Sequence, residues 1–346
     1  MCILRINLKE STMLILGIES SCDETGLALY SEGEGLIAHM VNSQVELFTE
    51  YGGVIPEIAA RDHSVKIINI LKSLLKKADK KLNDINLVAY TAGPGLIGSL
   101  MVGETVAKTI SNVLDIELLP INHLEGHILA PGLEDDYLEI PYLCLLVSGG
   151  HTQIIECSDY GSYKILGETV DDACGEAFDK VGKLLNLDYP GGPKVSKLAA
   201  GGDPARFNFP RALMKDRNLN FSFSGLKTAV LYALEDLEEK DYPDVAASFQ
   251  EAVVDVLVKK LAYAIEQTGI KKLVCSGGVA ANSLLRERLT DMGKTSELEV
   301  SYPKMEFCTD NAAMIAYAGF IRKKYNLKEY PTKFARPRWP LGELYD

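Results

Sequence analysis

Residues Pro141–Glu156 read PYLCLLVSGGHTQIIE: an apolar run, a short polar turn at Ser148-Gly149-Gly150, and a second apolar run. This is the signal of strand, tight turn, strand. The chain has already used it once, because Met13–Ser31 runs MLILGIE, then the polar turn SSCDETG, then LALYS. Two such openings about 130 residues apart predict a duplicated domain with a cleft between its halves.

The stretches between and after them alternate strand with helix. Gly52-Gly53 and Pro56 lead into a helix over Glu57–Lys77, with Val65, Ile68, Leu71, Leu75 and Ala78 at helical spacing. Its Lys66, Lys72, Lys76 and Lys77 read as a solvated face, or as a docking surface. Asn86–Thr91 is a buried strand ending in AGPGLIGSLMVG, whose glycines open a helix carrying Val102, Val106 and Ile110. Ile116–Ile121 is a further strand. In the second half, Gly167–Leu185 contains a helix, YPGGP at 189–193 reads as a loop, and Asp244–Thr268 is a long amphipathic helix. Lys272–Asn282, KLVCSGGVAAN, is strand, glycine turn and helix start. The class is therefore α/β with a largely parallel component.

Size and composition bound the answer. A chain of 346 residues predicts two domains. With 47% apolar residues and a mean hydropathy of +0.03, it has ample core, and no window approaches eighteen uninterrupted apolar residues. No membrane span is expected. The seven scattered cysteines, without a CxxC pair, fit free thiols in a reducing cytoplasm. A net charge of −12 argues against a general nucleic-acid coat, though not against a local basic path. The leader MCILRINLKEST interrupts its apolar run with Arg5, Lys9 and Glu10, which makes a poor signal peptide. Met13 is a candidate initiator.

Chemistry concentrates at Ile121–Pro131, INHLEGHILAP. His123 and His127 lie one helical turn apart on one face, a spacing that suits two imidazole nitrogens on one metal ion. Zinc proteases carry H-E-x-x-H, with the glutamate as base. Here Glu125 falls roughly 200° round the helix from His123, which disfavours a metalloprotease. Asp310, in FCTDNAAMIAYAG, stands at the head of a later helix as a third ligand or as an N-cap.

Other positions have two readings each. Asp23, Glu24 and Thr25 bind phosphate or metal, or only form a turn. Ser148-Gly149-Gly150 cradles a phosphate or is a plain hairpin turn. Asp179, one turn from Glu176, holds a ribose or faces solvent. Asn282 caps a helix or bonds a nucleoside. In Asn208–Thr228, Arg211, Lys215, Arg217 and Lys227 beside Phe221 and Phe223 touch RNA or form a surface excursion. The proline-rich ARPRWPLGEL near the C-terminus is expected to cross the surface. Glycine turns at 93–98, 148–150 and 276–278 each follow a strand, where open α/β sheets place nucleotides. A duplicated α/β protein with a nucleotide in its cleft accounts for all of these. His123, His127 and Asp310 would then form a site suited to iron or zinc, with open positions for substrate oxygens.

The segments GIESSCDET, YGGVIPEIAARDH, TAGPGLIGSLMVG, NHLEGH, LVSGGHTQ, GETVDDACGEAFDKVGKLL, YPGGP, FSFSGLKT, SGGVAAN and FCTDNAAMIAYAG occur in that order. Together they resemble the tRNA N6-adenosine threonylcarbamoyltransferase family, TsaD in bacteria, formerly named O-sialoglycoprotein endopeptidase or Gcp. The likeness runs from Met13 to Leu344, and RPRWPL resembles its proteobacterial branch.

The resemblance implies the actin-like, sugar-kinase-like and Hsp70-like (ASKHA) fold. One lobe would span residues 13–130, completed by a helix at about 311–330, and the other residues 131–310. It implies a divalent metal, iron or zinc, on His123, His127 and Asp310. It places threonylcarbamoyl-AMP on Leu146, Val147, Ser148, Gly149, Gly150, Asp179, Gly192 and Asn282. Ser196 stands where many members have aspartate, which weakens a ribose contact there. The implied reaction transfers the threonylcarbamoyl group to the N6 amine of the adenosine beside the anticodon in tRNAs reading codons that begin with A. Glu19 and Asp23 are the candidates for removing the amine proton. Implied partners are tRNA, a TsaB-like paralogue on the Glu57–Lys77 helix and a TsaE-like ATPase, in the cytoplasm and away from membranes. An ATP-hydrolysing switch of the same fold is the rival reading beside the metalloprotease.

Overall fold

The computed structural model describes residues 13–134, 138–215, 217–331 and 333–346; the leader reading of residues 1–12 lies outside the described residues. The first half contributes strands β1 (Leu14–Glu19), β2 (Glu24–Ser31), β3 (Gly35–Ser43), β4 (Leu87–Gly93) and β5 (Glu117–Asn122). The second contributes β6 (Tyr142–Val147), β7 (Thr152–Asp159), β8 (Ser162–Glu168), β9 (Lys272–Ser276) and β10 (Glu299–Ser301). Their orders are β3-β2-β1-β4-β5 and β8-β7-β6-β9-β10. In each sheet three antiparallel strands continue into two parallel ones, so β1 and β6 hold the same central place. The duplication read from the two openings is thus a duplication of topology. Both central strands are wholly buried, which explains why each reads as an unbroken apolar run without alternation.

The helices are α1 (Val45–Phe48), α2 (Pro56–Lys77), α3 (Ile97–Leu114), α4 (His123–Leu129), α5 (Cys174–Leu184), α6 (Gly191–Ala199), α7 (Ser224–Ala233), α8 (Tyr242–Thr268), α9 (Ser283–Ser296) and α10 (Ala312–Lys324). α10 returns to the first sheet and lies against β1 and β2. Gly17 permits the approach, since a Cβ there would run into the Ala312 carbonyl oxygen. That packing fixes where the residues just before α10, including Asp310, must end.

Apolar side chains join the two sheets. Leu124 and Ile128 of α4 share a cluster with Leu16 and Val88 of the first sheet and with Tyr142, Leu146 and Val274 of the second. The six cysteines among the described residues are free thiols, five of them buried.

Two sequence readings need correction. On α2 the buried stripe is Ala59, His63, Ile67, Leu71 and Leu74, while Val65 and Ile68 are 66% and 44% exposed. YPGGP is a loop only to Pro190, because Gly191 already begins α6. The C-terminal stretch crosses the surface, as expected, with Pro337, Arg338, Pro340, Gly342 and Glu343 exposed, but it is anchored there by buried Trp339, Leu341 and Leu344. Its backbone bonds to the glycine turn after β4 (Arg336 N–H to Ala92 O, 2.6 Å; Gly95 N–H to Pro337 O, 3.1 Å), and Trp339 is 1% exposed against Tyr330. Proline density suggested the surface path, and burial of the indole is what pins it.

Candidate active site

The carboxyl ends of β1, β4, β5, β6 and β9 converge, and every glycine turn singled out from the sequence lies at one of them. β5 ends at Asn122, whose side-chain oxygen accepts from the Leu124 and Glu125 amides at 2.9 and 3.3 Å and so caps α4. His123 and His127 then share one face, their rings edge to face with centres 4.8 Å apart. Asp310 arrives from the far end of the chain. Its Oδ1 lies 3.0 Å from His127 Nε2 and 3.4 Å from His123 Nε2. It does not cap α10, because Asn311 takes that role by accepting from the Met314 amide at 3.0 Å. The two readings of Asp310 therefore resolve onto neighbouring residues.

The donor set fits a metal ion. One atom each from His123, His127 and Asp310 lies within 4.8 Å of the others. A tetrahedral ion with bonds of about 2.1 Å separates its ligands by about 3.4 Å, close to the 3.0 and 3.4 Å from Asp310 Oδ1 to the two imidazoles. His127 Nδ1 is buried with no hydrogen-bond partner.

Glu19, at the end of β1, sits behind His123. Its Oε2 is 3.1 Å from His123 Nδ1 and accepts from the Thr91 hydroxyl at 2.5 Å, while Oε1 accepts from the Ser21 amide at 2.6 Å. Burial opposes a charged His123, but Asp310 and Glu19 outweigh it and raise its pKa well above the usual imidazole value. Burial likewise works against an ionised Glu19 and Asp310, yet the imidazoles beside them hold both below the ordinary carboxylate range. A field that favours a proton there also favours a metal cation. Asp23 is buried, and Glu24 beside it is pushed well up by burial and by Asp310.

Glu125 faces away, as its place on the helix predicts. It is 0% exposed and accepts from Arg322, Tyr163 and Tyr330. A protease base has no counterpart there.

The nucleotide side of the cleft is built of turns. Ser148-Gly149-Gly150 closes the hairpin after β6, with the Ser148 amide donating to His151 O at 2.8 Å and the His151 amide to Ser148 Oγ at 3.1 Å. Both glycines are exposed, and a Cβ on either would meet nothing within 4 Å. Leu146 and Val147 are buried in β6 below. Asp179 Oδ1 accepts from the Gly191 and Gly192 amides at 2.8 and 3.3 Å, tying α5 to the start of α6. Burial raises its pKa. Asn282 caps α9 through the Leu285 amide at 3.0 Å, while its Nδ2 donates to Gln250 at 2.7 Å and to Ser196 Oγ at 3.4 Å.

One residue escaped the sequence reading. Burial, with the nearby His123 and His127, pushes His151 down to about 4, so it stands as a neutral imidazole next to the glycine turn. Its place directly after Gly150 was the available signal.

The RNA reading of Asn208–Thr228 loses its aromatic part. Phe221 and Phe223 are fully buried. Arg211 pairs with Asp255 at 2.8 Å and Arg217 with Glu266 at 3.4 Å, while the Lys260 amine pins the loop through Asn218 O at 2.6 Å. A groove of about 480 Å³ lined by Arg211, Val254, Val258, Arg288 and Met292 shares no residue with the histidine cluster.

Comparison with known proteins gives the same picture. The family model described as "TsaD: tRNA N6-adenosine threonylcarbamoyltransferase" matches residues 35–317. HypF from T. kodakarensis is similar at 14% identity with a TM-score of 0.63, covering 91% of this chain and 48% of that one. A full-length HypF in a phosphate- and nucleotide-bound form gives 15% identity and 0.59, covering 90% and 46%. The chain thus spans about half the length of these HypF structures. Component A of the Acidaminococcus fermentans (R)-2-hydroxyglutaryl-CoA dehydratase gives 14% identity and 0.51, covering 88% and 96%. These likenesses show the fold, the duplicated actin-like one that the sequence predicted.

Proposed function

The chain belongs to the tRNA N6-adenosine threonylcarbamoyltransferase (TsaD) family, and from that premise we propose that it transfers the threonylcarbamoyl group of threonylcarbamoyl-AMP to the adenosine beside the anticodon of tRNAs reading codons that begin with A. The observation that carries this reading is the convergence of His123, His127 and Asp310 beside a bare glycine turn at the strand ends. The exocyclic N6 amine attacks the carbamoyl carbon. A C–N bond forms, the bond from that carbon to the phosphate oxygen breaks, AMP leaves with that electron pair, and the amine gives up one proton.

The chain's own groups divide the work. The Gly149 and Gly150 amides hold the phosphate of the mixed anhydride, while the Ser148 amide, bonded to His151 O, closes the turn above Leu146 and Val147. Asp179 takes the ribose through the carboxylate oxygen not bonded to Gly191 and Gly192, and Gly192 lets the sugar approach. Asn282 and Ser196 border the base. His123, His127 and Asp310 would hold iron or zinc, which when bound would supply Lewis-acid polarisation of the acyl group. We assign Glu19 to anchoring His123 Nδ1, because all its near partners are inside the protein, and keep Asp23 as the candidate proton acceptor.

tRNA, a TsaB-like paralogue and a TsaE-like ATPase are the partners proposed, in the cytoplasm. No helix among the described residues is long and apolar enough to cross a membrane. The paralogue's seat is the outer face of α2 and α3, where Val65 and Ile68 stand exposed with Ile97 and Met101.

Purified chain, partners, threonylcarbamoyl-AMP and unmodified tRNA, followed by nucleoside mass spectrometry, test the reading. Wild type should form threonylcarbamoyladenosine and His123→Ala should form none. Equal product from His123→Ala would overturn the proposed site. ATP hydrolysis by the chain alone, with no nucleoside product, would favour the switch instead.

A further inference from the structure

The pair His123 and His127 sits on a helix of only seven residues, which its own hydrogen bonds cannot hold in a fixed rotation. Two features beyond the helix grip it. At its start, Asn122 caps α4 with Oδ1 while its Nδ2 donates to the Trp339 carbonyl at 2.9 Å. On its far face Glu125, between the two histidines in sequence, gathers three donors from three other parts of the chain. Arg322 Nη1 of α10 lies 3.0 and 3.1 Å from its two oxygens, the Tyr163 hydroxyl of β8 lies 3.0 Å away, and the Tyr330 hydroxyl completes the set. Arg322 also donates to Tyr330 at 2.7 Å and to the Lys328 carbonyl at 2.5 Å.

These contacts link the elements that bring the three candidate ligands together. α4 carries both histidines, and α10 begins two residues after Asp310. The Glu125–Arg322 pair fixes the one against the other, and Tyr330 and Trp339, ring to ring at 4.6 Å, bind the C-terminal segment to the cap and the first turn of the short helix. A buried ion pair is a poor way to gain stability, since hydrocarbon of the same volume commonly serves as well or better. Its use here calls for a geometric reason.

We propose that Glu125, with Arg322 and Tyr330, is a positioning residue for the metal site: it sets the rotation of α4 so that both imidazole Nε2 atoms face Asp310. The inference rests on the metal-holding reading of His123, His127 and Asp310. None of the three positioning side chains touches the ion or a substrate.

Cobalt(II) alone is the probe, added to the full-length metal-free protein and followed by its visible absorption and by melting. Groups that orient metal ligands from behind typically carry 10–100-fold in affinity. Glu125→Gln and the gentler Tyr330→Phe, which removes one hydroxyl, should therefore bind cobalt at least tenfold more weakly, with a changed visible spectrum. Val181→Ala, a cavity variant in the core of the second half, should lower the melting temperature and leave affinity and spectrum unchanged. Wild-type cobalt affinity and spectrum in Tyr330→Phe would overturn the proposal, as would an equal affinity loss in Val181→Ala. If the wild-type protein takes up no cobalt, the metal-holding reading itself fails, and that outcome is distinct from the other two.

Discussion

Replacing Asp310 with asparagine keeps the shape of the side chain and removes its charge. Asp310 Oδ1 sits 3.0 and 3.4 Å from the two imidazoles, so it is the one candidate ligand that meets both others. Four-ligand zinc sites bind with roughly 10–16 kcal/mol, or about 2.5–4 kcal/mol per ligand. At about 1.4 kcal/mol per tenfold, losing one ligand should weaken zinc binding by about 100-fold or more. The charge matters twice, because Asp310 is also the strongest influence raising the His123 pKa. In the metal-free variant His123 should therefore titrate lower than in wild type. The metal-free fold should lose stability too, because His123 loses the carboxylate that most favours its charged form, while the cap on α10 stays with Asn311. Competition with a chromophoric chelator reads the zinc affinity directly. A dissociation constant within threefold of wild type would refute the ligand assignment.

The raised His123 pKa gives a sign for pH. Its charged form stabilises the metal-free fold fully below about 6.5, and that contribution is lost as pH rises through the raised folded-state value. Zinc must displace the same proton, so the rise in melting temperature on adding zinc should be small at pH 6 and grow toward pH 8.5; a shift independent of pH would contradict this. Gly149→Val points a side chain into open space, so it should fold within about 0.5 kcal/mol of wild type and bind AMP at least tenfold more weakly by calorimetry. Unchanged AMP affinity would remove the turn from the site. Val65→Glu, at a position 66% exposed, should leave melting unchanged and abolish co-purification with the TsaB-like partner, and retained partner would count against that surface.

The two strand-turn-strand openings were legible because buried central strands need unbroken apolar runs, and the duplication followed from their repetition. The histidine pair was legible because helical spacing is local. Asp310 was legible only as a choice between ligand and cap, since Asp310 and Asn311 are adjacent and both suit a cap. Which of them caps is settled by how α10 seats on Gly17, a contact across nearly 300 residues of sequence. Helical spacing on α2 did not tell which face is buried, for a related reason. Val65 and Ile68 keep helical spacing, but the sheet receives the neighbouring face, where small Ala59 and hydrogen-bonded His63 fit. Trp339 and Glu125 were hidden more deeply. A tryptophan among prolines and a glutamate on the wrong face look like surface residues until Tyr330 and Arg322 are brought to them.

Anomalous diffraction from crystals of the protein soaked with zinc and AMP tests the central claim most directly. The account predicts one strong peak about 2.0–2.2 Å from a nitrogen of His123, a nitrogen of His127 and an oxygen of Asp310, with the AMP phosphate at the amides of Gly149 and Gly150. A metal peak elsewhere, with these three side chains bonded only to one another as before, would contradict it.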